Sequence, residues 1–256
     1  MAYFNLIKLN ATSSTNNYIK VKRSKGACKD GDLVWTKHQT SGRGQSDKSW
    51  QSEANNSLSL SIYKTFEKES PKHPFEISCA VACAIIRTLH SIGIPELNIK
   101  WPNDILSCNH KIGGILIENT YKYSRLNETI IGLGLNINQE KFDSLPHARS
   151  LFMITKRKWD IETVLNSLIQ SFENVLISDL SNHLKANLAE FNLSLWRKKK
   201  PSKFYGSEGI FEAIPLEVTQ EGNLLISDLE GALERTIDLN QARMLYSKET
   251  VLRSPV

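Results

Sequence analysis

Between Lys100 and Ile117 the chain reads Lys-Trp-Pro-Asn-Asp, six more residues, then Lys-Ile-Gly-Gly-Ile-Leu-Ile. This is one hairpin carrying a cation, a carboxylate, an amide, a rigid turn and a second cation. A lysine is costly to hold against apolar strands unless an anion partners it. Two adjacent glycines weaken a strand, and are expected where something must approach its backbone closely. The hairpin therefore implies a pocket for a small anionic ligand, with Lys111 at its reacting end.

The 256 residues, 40% hydrophobic and 23% charged, suffice for one large domain, or a medium one plus a small one. The apolar runs are too short to span a bilayer, and the first residues lack a basic start followed by an apolar core, so a cytoplasmic location is expected. Cys28, Cys79, Cys83 and Cys108 form no metal-binding pattern, and Cys79 and Cys83 share an apolar helical stripe where cysteine acts as a small hydrophobe. The histidines show no ligand spacing. Much of the net charge of +5 comes from Arg197 to Lys200 and Lys203, read as a solvated linker rather than a phosphate or acidic-partner contact.

Alternation predicts strands over Tyr3–Leu9, Asp32–Thr36 and Leu58–Tyr63, the last half-buried because Leu and Ile alternate with Ser. Ser13-Ser14-Thr15 can cap a short helix running to about Val21. Phe75–Leu89 has helical spacing, with Gly93 placed to end it. Ile99–Trp101, Ile105–Ser107, Ile112–Glu118 and Thr129–Ile137 read as consecutive strands. Helices follow over about 160–176, capped by Asp160, and over Leu184–Trp196. After Pro201 come short strand-like pieces: Gly209–Ile214, Pro215–Thr219, Asn223–Ser227 and Arg235–Leu239. The expected class is α/β (α+β): a mixed-sheet body over residues 1–200 and a small β-barrel over 201–256, with the boundary near 198–205.

Two more segments carry chemistry. Gln39 to Trp50 places Gly42, Arg43 and Gly44 where backbone amides and a guanidinium could meet an anion, and Trp50 could hold one face of a base or anchor the loop end. Ile131-Gly-Leu-Gly-Leu-Asn-Ile-Asn138 puts Gly132, Gly134 and Asn136 on one face of a strand. It is not a dinucleotide fingerprint, because the third glycine and following helix are missing.

Together, Ser14-Thr15-Asn16, Gln39-Thr-Ser-Gly-Arg-Gly44, Lys100-Trp-Pro-Asn-Asp104, Lys111-Ile-Gly-Gly-Ile115 and Gly132-Leu-Gly-Leu-Asn136 resemble the motifs of the biotin protein ligase family, in order and spacing. The resemblance is strong over residues 3–140. The C-terminal β segment fits the family's SH3-like domain by pattern only. The resemblance implies an enzyme that joins biotin to ATP, forming biotinyl-5′-adenylate, and then passes biotin to a lysine of a biotin carboxyl carrier domain. It implies Ser14, Thr15, Asn16, Gln39, Gly42, Arg43, Gly44, Gln45, Lys111, Gly113 and Gly114 around biotin, with Lys111 and Arg43 catalytic. Trp50, Lys100, Asn103, Gly132 and Asn136 are implied around ATP. Mg²⁺ is expected to be held largely by phosphates and water, with Asp104 a candidate for helping the metal or the incoming amine. The strand beginning near Tyr3 leaves no room for the winged helix of repressor relatives, so no nucleic acid is expected as partner, and the short apolar runs imply no membrane; a homodimer stays open.

The lipoate and octanoyl transferases share the superfamily fold, but the Gly-Arg-Gly segment joined to the two lysine motifs favours biotin. A biotin-sensing repressor is disfavoured by the lack of room for a winged helix and by the mild basic charge, and a non-catalytic binding module by the intact Lys111. Residues 42–50 form the natural lid over a labile acyl-adenylate. Relatives often carry extra arginines there; this chain has Gln45, Ser46 and Asp47, with Lys48 the remaining cation. Pre-formed adenylate should therefore escape faster than from arginine-rich relatives. Timed release from the isolated complex checks this, and slow release would contradict it.

Overall fold

The computed structural model describes residues 3–45, 48–66, 70–143, 145–177 and 180–246. Its first part comprises β1 (Asn5–Leu9), α1 (Thr15–Ser24), β2 (Asp32–Thr36), β3 (Gly42–Arg43), β4 (Ser49–Trp50) and β5 (Ser57–Thr65). Then come α2 (Phe75–Ser91), β6 (Leu97–Lys100), β7 (Asp104–Ser107), β8 (His110–Lys122) and β9 (Arg125–Asn136). Seven of these strands form one mixed sheet in the order β1-β2-β5-β9-β8-β7-β6, in which only β1 and β2 run parallel. The strands read from Ile99 to Ile137 are its consecutive antiparallel half.

Alternation assigns the two sheet faces. Leu58, Leu60 and Ile62 of β5 and Ile131, Leu133 and Leu135 of β9 are buried in the main core with α2. That helix has an Ala, Val, Ile and Cys surface with little polar interruption, so it is stable only when enclosed on nearly every side. It packs against α4 (Ile161–Ile177) and α5 (Leu180–Leu193), which follow the short α3 (Leu151–Thr155). It ends as expected: Gly93 takes φ +89°, and the amide of Ile94 reaches back to the Leu89 carbonyl at 3.0 Å. Cys79 and Cys83 are free thiols with no exposed surface, serving as the small hydrophobes expected.

The other face bears α1 over a small cluster of Ile19, Val34, Tyr63 and Ile130. Ser14 caps this helix, its side chain accepting from the Asn17 amide. The serines of β5 correct one expectation. Ser57, Ser59 and Ser61 are buried rather than facing water. Alternation shows which residues share a face, not what that face meets.

The C-terminal sheet holds β10 (Ser202–Gly206), β11 (Gly209–Val218), β12 (Leu224–Ser227), β13 (Glu234–Ile237) and β14 (Ala242–Met244) in the order β13-β12-β11-β10-β14. All its pairings are antiparallel. The arrangement is SH3-like, and no pairing closes it between β13 and β14 among the described residues. The pieces read separately as 209–214 and 215–219 are one strand bent by a register shift between Pro215 and Glu217, since a bulge keeps a ladder going past a proline. β10 and β14 were not read from the sequence; Ser202–Gly206 follows the basic run and ends in glycine, and Ala242–Met244 is only three residues long. The helix expected over 184–196 ends at Leu193, and Leu195 then bridges to Ile99, covering the β6 edge.

The small sheet is fixed to the body by named contacts. Asn192 bonds both the amide and the carbonyl of Val218, at 2.7 and 3.0 Å. Trp101, fully buried, donates its indole N–H to the Gly222 carbonyl at 2.9 Å. Gly222 has φ +92°, and a Cβ there would lie 2.7 Å from the Phe75 ring. Both the left-handed backbone and the close approach require glycine. Gly222→Ala should lower stability by about 1–3 kcal/mol. Denaturant unfolding checks this; an unchanged midpoint would contradict the docking described.

Candidate active site

The face of the large sheet beneath α1 forms the floor of a cleft of about 1120 Å³. Register explains why the floor is open. Gly134 lies opposite Ser59 on one side and Gly114 on the other; in the next row Gly132 lies between Ser61 and Leu116. Apart from Leu116, these rows put hydrogens or single hydroxyls where ordinary strands carry larger side chains, so a ligand could rest on the backbone. The two adjacent glycines divide their roles. Gly114 faces the cleft, whereas Gly113, expected beside the ligand, points into the core, where a Cβ would crowd Leu135 and Ile105. Period two forces neighbours to opposite faces.

At one end stands a buried polar wall. Gln39 Oε1 accepts from the Thr15 amide at 2.9 Å and the Thr15 hydroxyl at 3.3 Å. Ser61 Oγ lies 2.7 Å from Thr15 Oγ1 and 2.5 Å from Asn16 Oδ1. The Asn16 amide donates to Glu118 at 2.9 Å. Backbone bonds from Thr40 to Thr12 and from Ser41 to Ser13 hold the Gln39 and Ser14 segments side by side. Gly132, expected near a nucleotide, lies beside this wall, with Asn16 against its open face: a Cβ would fall 2.4 Å from Asn16 Oδ1.

In the segment expected to form a lid, β3 and β4 pair antiparallel, Gly42 with Trp50 and Arg43 with Ser49. Ser46 and Asp47 lie outside the described residues. Gly44 and Gln45 line the cleft, and Gly42 is buried, where a Cβ would strike the Trp50 carbonyl and the Gln39 amide. Arg43 contacts Asn17 Oδ1 at 3.2 Å and Glu118 Oε1 at 3.3 Å. Burial alone would raise the Glu118 carboxyl; Lys20, Asn16 and Arg43 outweigh it and hold it below the usual range.

At the other end, Asp104 is buried between two cations. Lys111 Nζ sits 2.6 Å from Oδ1, and Lys100 Nζ 3.7 Å from Oδ2. Burial pushes the Asp104 carboxyl up, but both lysines, with hydrogen bonds from Lys111 and Tyr246, bring it below the carboxylate norm. Lys111 is anchored through its backbone as well: its amide donates to the His147 carbonyl, and its carbonyl accepts from the Arg149 amide. Asn103, expected beside a nucleotide, lines the cleft but bonds the Ile115 carbonyl through its Nδ2 at 2.6 Å, bracing the hairpin.

Between the ends, the Trp50 indole covers Gly134, where a Cβ would fall 2.3 Å from the ring, and Lys111 Nζ stands 5.6 Å from the ring centroid. Asn136 donates to the Arg149 carbonyl, which leaves its Oδ1 buried. That oxygen and the Trp50 indole N–H find no partner among the described residues. An acceptor and a donor left unmatched in one cleft suit a ligand able to hydrogen-bond both. Sequence reasoning missed Ser59, Ser61, Glu118 and Tyr246, which carry no motif signal and join the cleft through sheet register or the last strand.

The pattern of the Biotin/lipoate A/B protein ligase family matches residues 9–136. Among curated relatives, the bifunctional ligase/repressor BirA of Bacillus spizizenii is 28% identical over 211 residues, covering 79% of this chain and 63% of that protein. The biotin--[acetyl-CoA-carboxylase] ligase of Mycobacterium tuberculosis is 28% identical over 169 residues, covering 65% and 62%. The chain thus spans less than two thirds of the length of these relatives. Among solved structures, the biotin protein ligase of Aquifex aeolicus in complex with biotin and ATP aligns at TM-score 0.79 and 23% identity, over 95% of this chain and 99% of that one; this likeness concerns the fold.

Gly134→Ala should displace the Trp50 indole while the protein still folds. Tryptophan emission checks it: the variant should differ from wild type, and the difference should vanish when both carry Trp50→Phe. Identical spectra without that substitution would contradict the packing.

Proposed function

The chain belongs to the Biotin/lipoate A/B protein ligase family, and from that premise we propose that it is an ATP-dependent biotin ligase, forming biotinyl-5′-AMP and passing the biotinyl group to one lysine of a biotin carboxyl carrier domain. The observation that carries the reading is the layout of the cleft. A buried hydrogen-bonding wall and two lysines on the buried Asp104 stand at its ends, joined by a strip rich in glycine and serine.

The wall of Ser14, Thr15, Asn16 and Gln39 suits the ureido ring of biotin. A ureido ring can exchange donors and acceptors with this wall and a dithiolane cannot, a difference that would discriminate between the two acids. The valeryl chain would cross the floor at Gly132 and Gly134, bringing its carboxylate to Lys111. One carboxylate oxygen then attacks the α-phosphorus of ATP, and the bond to pyrophosphate breaks. Lys111 gains value as negative charge gathers on the pentavalent phosphorus. The adenine edge would meet Asn136, whose free Oδ1 accepts from a 6-amino group, and Trp50 above Gly134. Arg43, Gly44 and Gln45 would close over the adenylate. In the second step the carrier amine attacks the acyl carbon and AMP leaves with the bonding pair. Asp104, ionised at neutral pH, can orient that amine.

Mg²⁺ enters as part of MgATP. Among the described residues no group of three or more His, Cys, Asp and Glu could cage a metal, and Asp104 is already shared by two lysines and Tyr246. Residues 1–200 would form the catalytic unit and 201–256 the small β unit, in a cytoplasmic protein with no nucleic acid or membrane as partner. No helix among the described residues is long and apolar enough to cross a membrane.

Incubation with MgATP and either biotin or lipoate should release pyrophosphate with biotin alone; activity with lipoate alone would overturn the assignment. Lys111→Ala should keep the fold and lose adenylate formation by at least about a thousandfold. Undiminished turnover would refute the role given to Lys111.

A further inference from the structure

Asp104 has a third partner, supplied from the far end of the chain. The Tyr246 hydroxyl donates to Asp104 Oδ2 at 2.8 Å, across 142 positions of sequence. Tyr246 stands two residues beyond β14, so the small sheet delivers it. Its ring is clasped from several directions. His147 stacks on it at 4.6 Å with an interplanar angle of 8°, Lys100 Nζ lies 4.5 Å from its centroid, and Trp196 tilts against it at 5.7 Å. His147 also gives its backbone carbonyl to the Lys111 amide. Tyr246 thus touches the segments that hold both ends of the Lys111 side chain: Asp104 at the ammonium, and His147 at the backbone.

We propose that Tyr246 is a positioning residue for the adenylation step, acting through Asp104 to set how strongly that carboxylate holds Lys111. The two carboxylate oxygens are divided, Oδ1 to Lys111 and Oδ2 to Tyr246 and Lys100. A donor on Oδ2 fixes the carboxylate plane, which keeps Oδ1 aimed at Lys111. It also draws off part of the charge that would otherwise fall on Lys111. Lys111 must turn part of its charge to the substrate's carboxylate and α-phosphate as the reaction proceeds. A carboxylate already sharing its charge with Tyr246 releases it more readily. The small β unit would therefore contribute directly to the reacting end of the cleft as well as packing behind it.

This rests on the biotin ligase reading, and the test separates the two. Tyr246→Phe keeps the ring, its stack on His147 and its place beside Lys100, and removes only the hydroxyl. With MgATP and biotin, kcat for pyrophosphate release should fall about tenfold, the scale of one hydrogen bond to a charged group. KM for ATP and biotin should stay within about twofold, and the melting temperature should fall by no more than about 2–4 °C, the loss of one such bond in a chain this size. In parallel, ¹³C NMR titration of the Asp carboxyls should show the Asp104 resonance, assigned with Asp104→Asn, titrating at higher pH in the variant. An unchanged kcat in an active protein, or a loss seen only as higher KM or lower melting temperature, would overturn the proposal. If wild type releases no pyrophosphate, the ligase reading fails. The titration then decides the Tyr246–Asp104 link on its own, and an unmoved Asp104 would refute it.

Discussion

The buried carboxylate of Asp104 is the interaction on which the rest of the site depends. A lone ionised aspartate at this depth would be costly, and so would a lysine pressed against β8 without a partner. Each makes the other tenable. Lys111 closes on one oxygen, while Lys100 and Tyr246 approach the other. Below the carboxyl's lowered pKa the aspartate would become neutral and leave two cations close together. Its stabilising effect is therefore present above the ordinary carboxylate range and lost as pH falls through the depressed folded value. Replacing the cluster with packed hydrocarbons could serve stability as well. In the proposed reaction the cluster offers a ligand a positive charge, Lys111, at the open end of a buried ion pair.

The second constraint is space. A ligand can reach that charge only because the rows Ser59–Gly134–Gly114 and Ser61–Gly132–Leu116 leave most of the sheet face without bulky side chains. Trp50 and Asn16 already take part of the room, one over Gly134 and the other over Gly132. The same rows thus fix the β3–β4 pair and α1 relative to the floor. The polar wall at one end and the charge at the other are then separated largely by the width of the sheet between them.

Much of this was legible in the sequence because the chemistry demands unusual residues. Paired lysines around Trp-Pro-Asn-Asp, a double glycine after a lysine and alternating glycines before Asn136 each break a local preference of strands, and such breaks mark sites. What was not legible depended on what faces what. Gly113 and Gly114 looked equivalent, but a pleated strand sends them to opposite faces. Gly132 was assigned to the nucleotide, whereas Asn16, more than a hundred residues earlier, lies against it. The serines of β5 read as a solvent face, yet they form part of the floor and wall. Tyr246 carried no signal, since an aromatic two residues past a three-residue strand is unremarkable until the small sheet docks.

The central claim is that this cleft joins the ligand carboxylate to the α-phosphorus of ATP. Biotin labelled with ¹⁸O in both carboxylate oxygens tests it directly. After turnover with MgATP and an acceptor amine, mass spectrometry of the phosphorus products should find one labelled oxygen in AMP and none in pyrophosphate. Label in inorganic phosphate with ADP as the nucleotide product would place the attack at the γ-phosphorus and contradict the account.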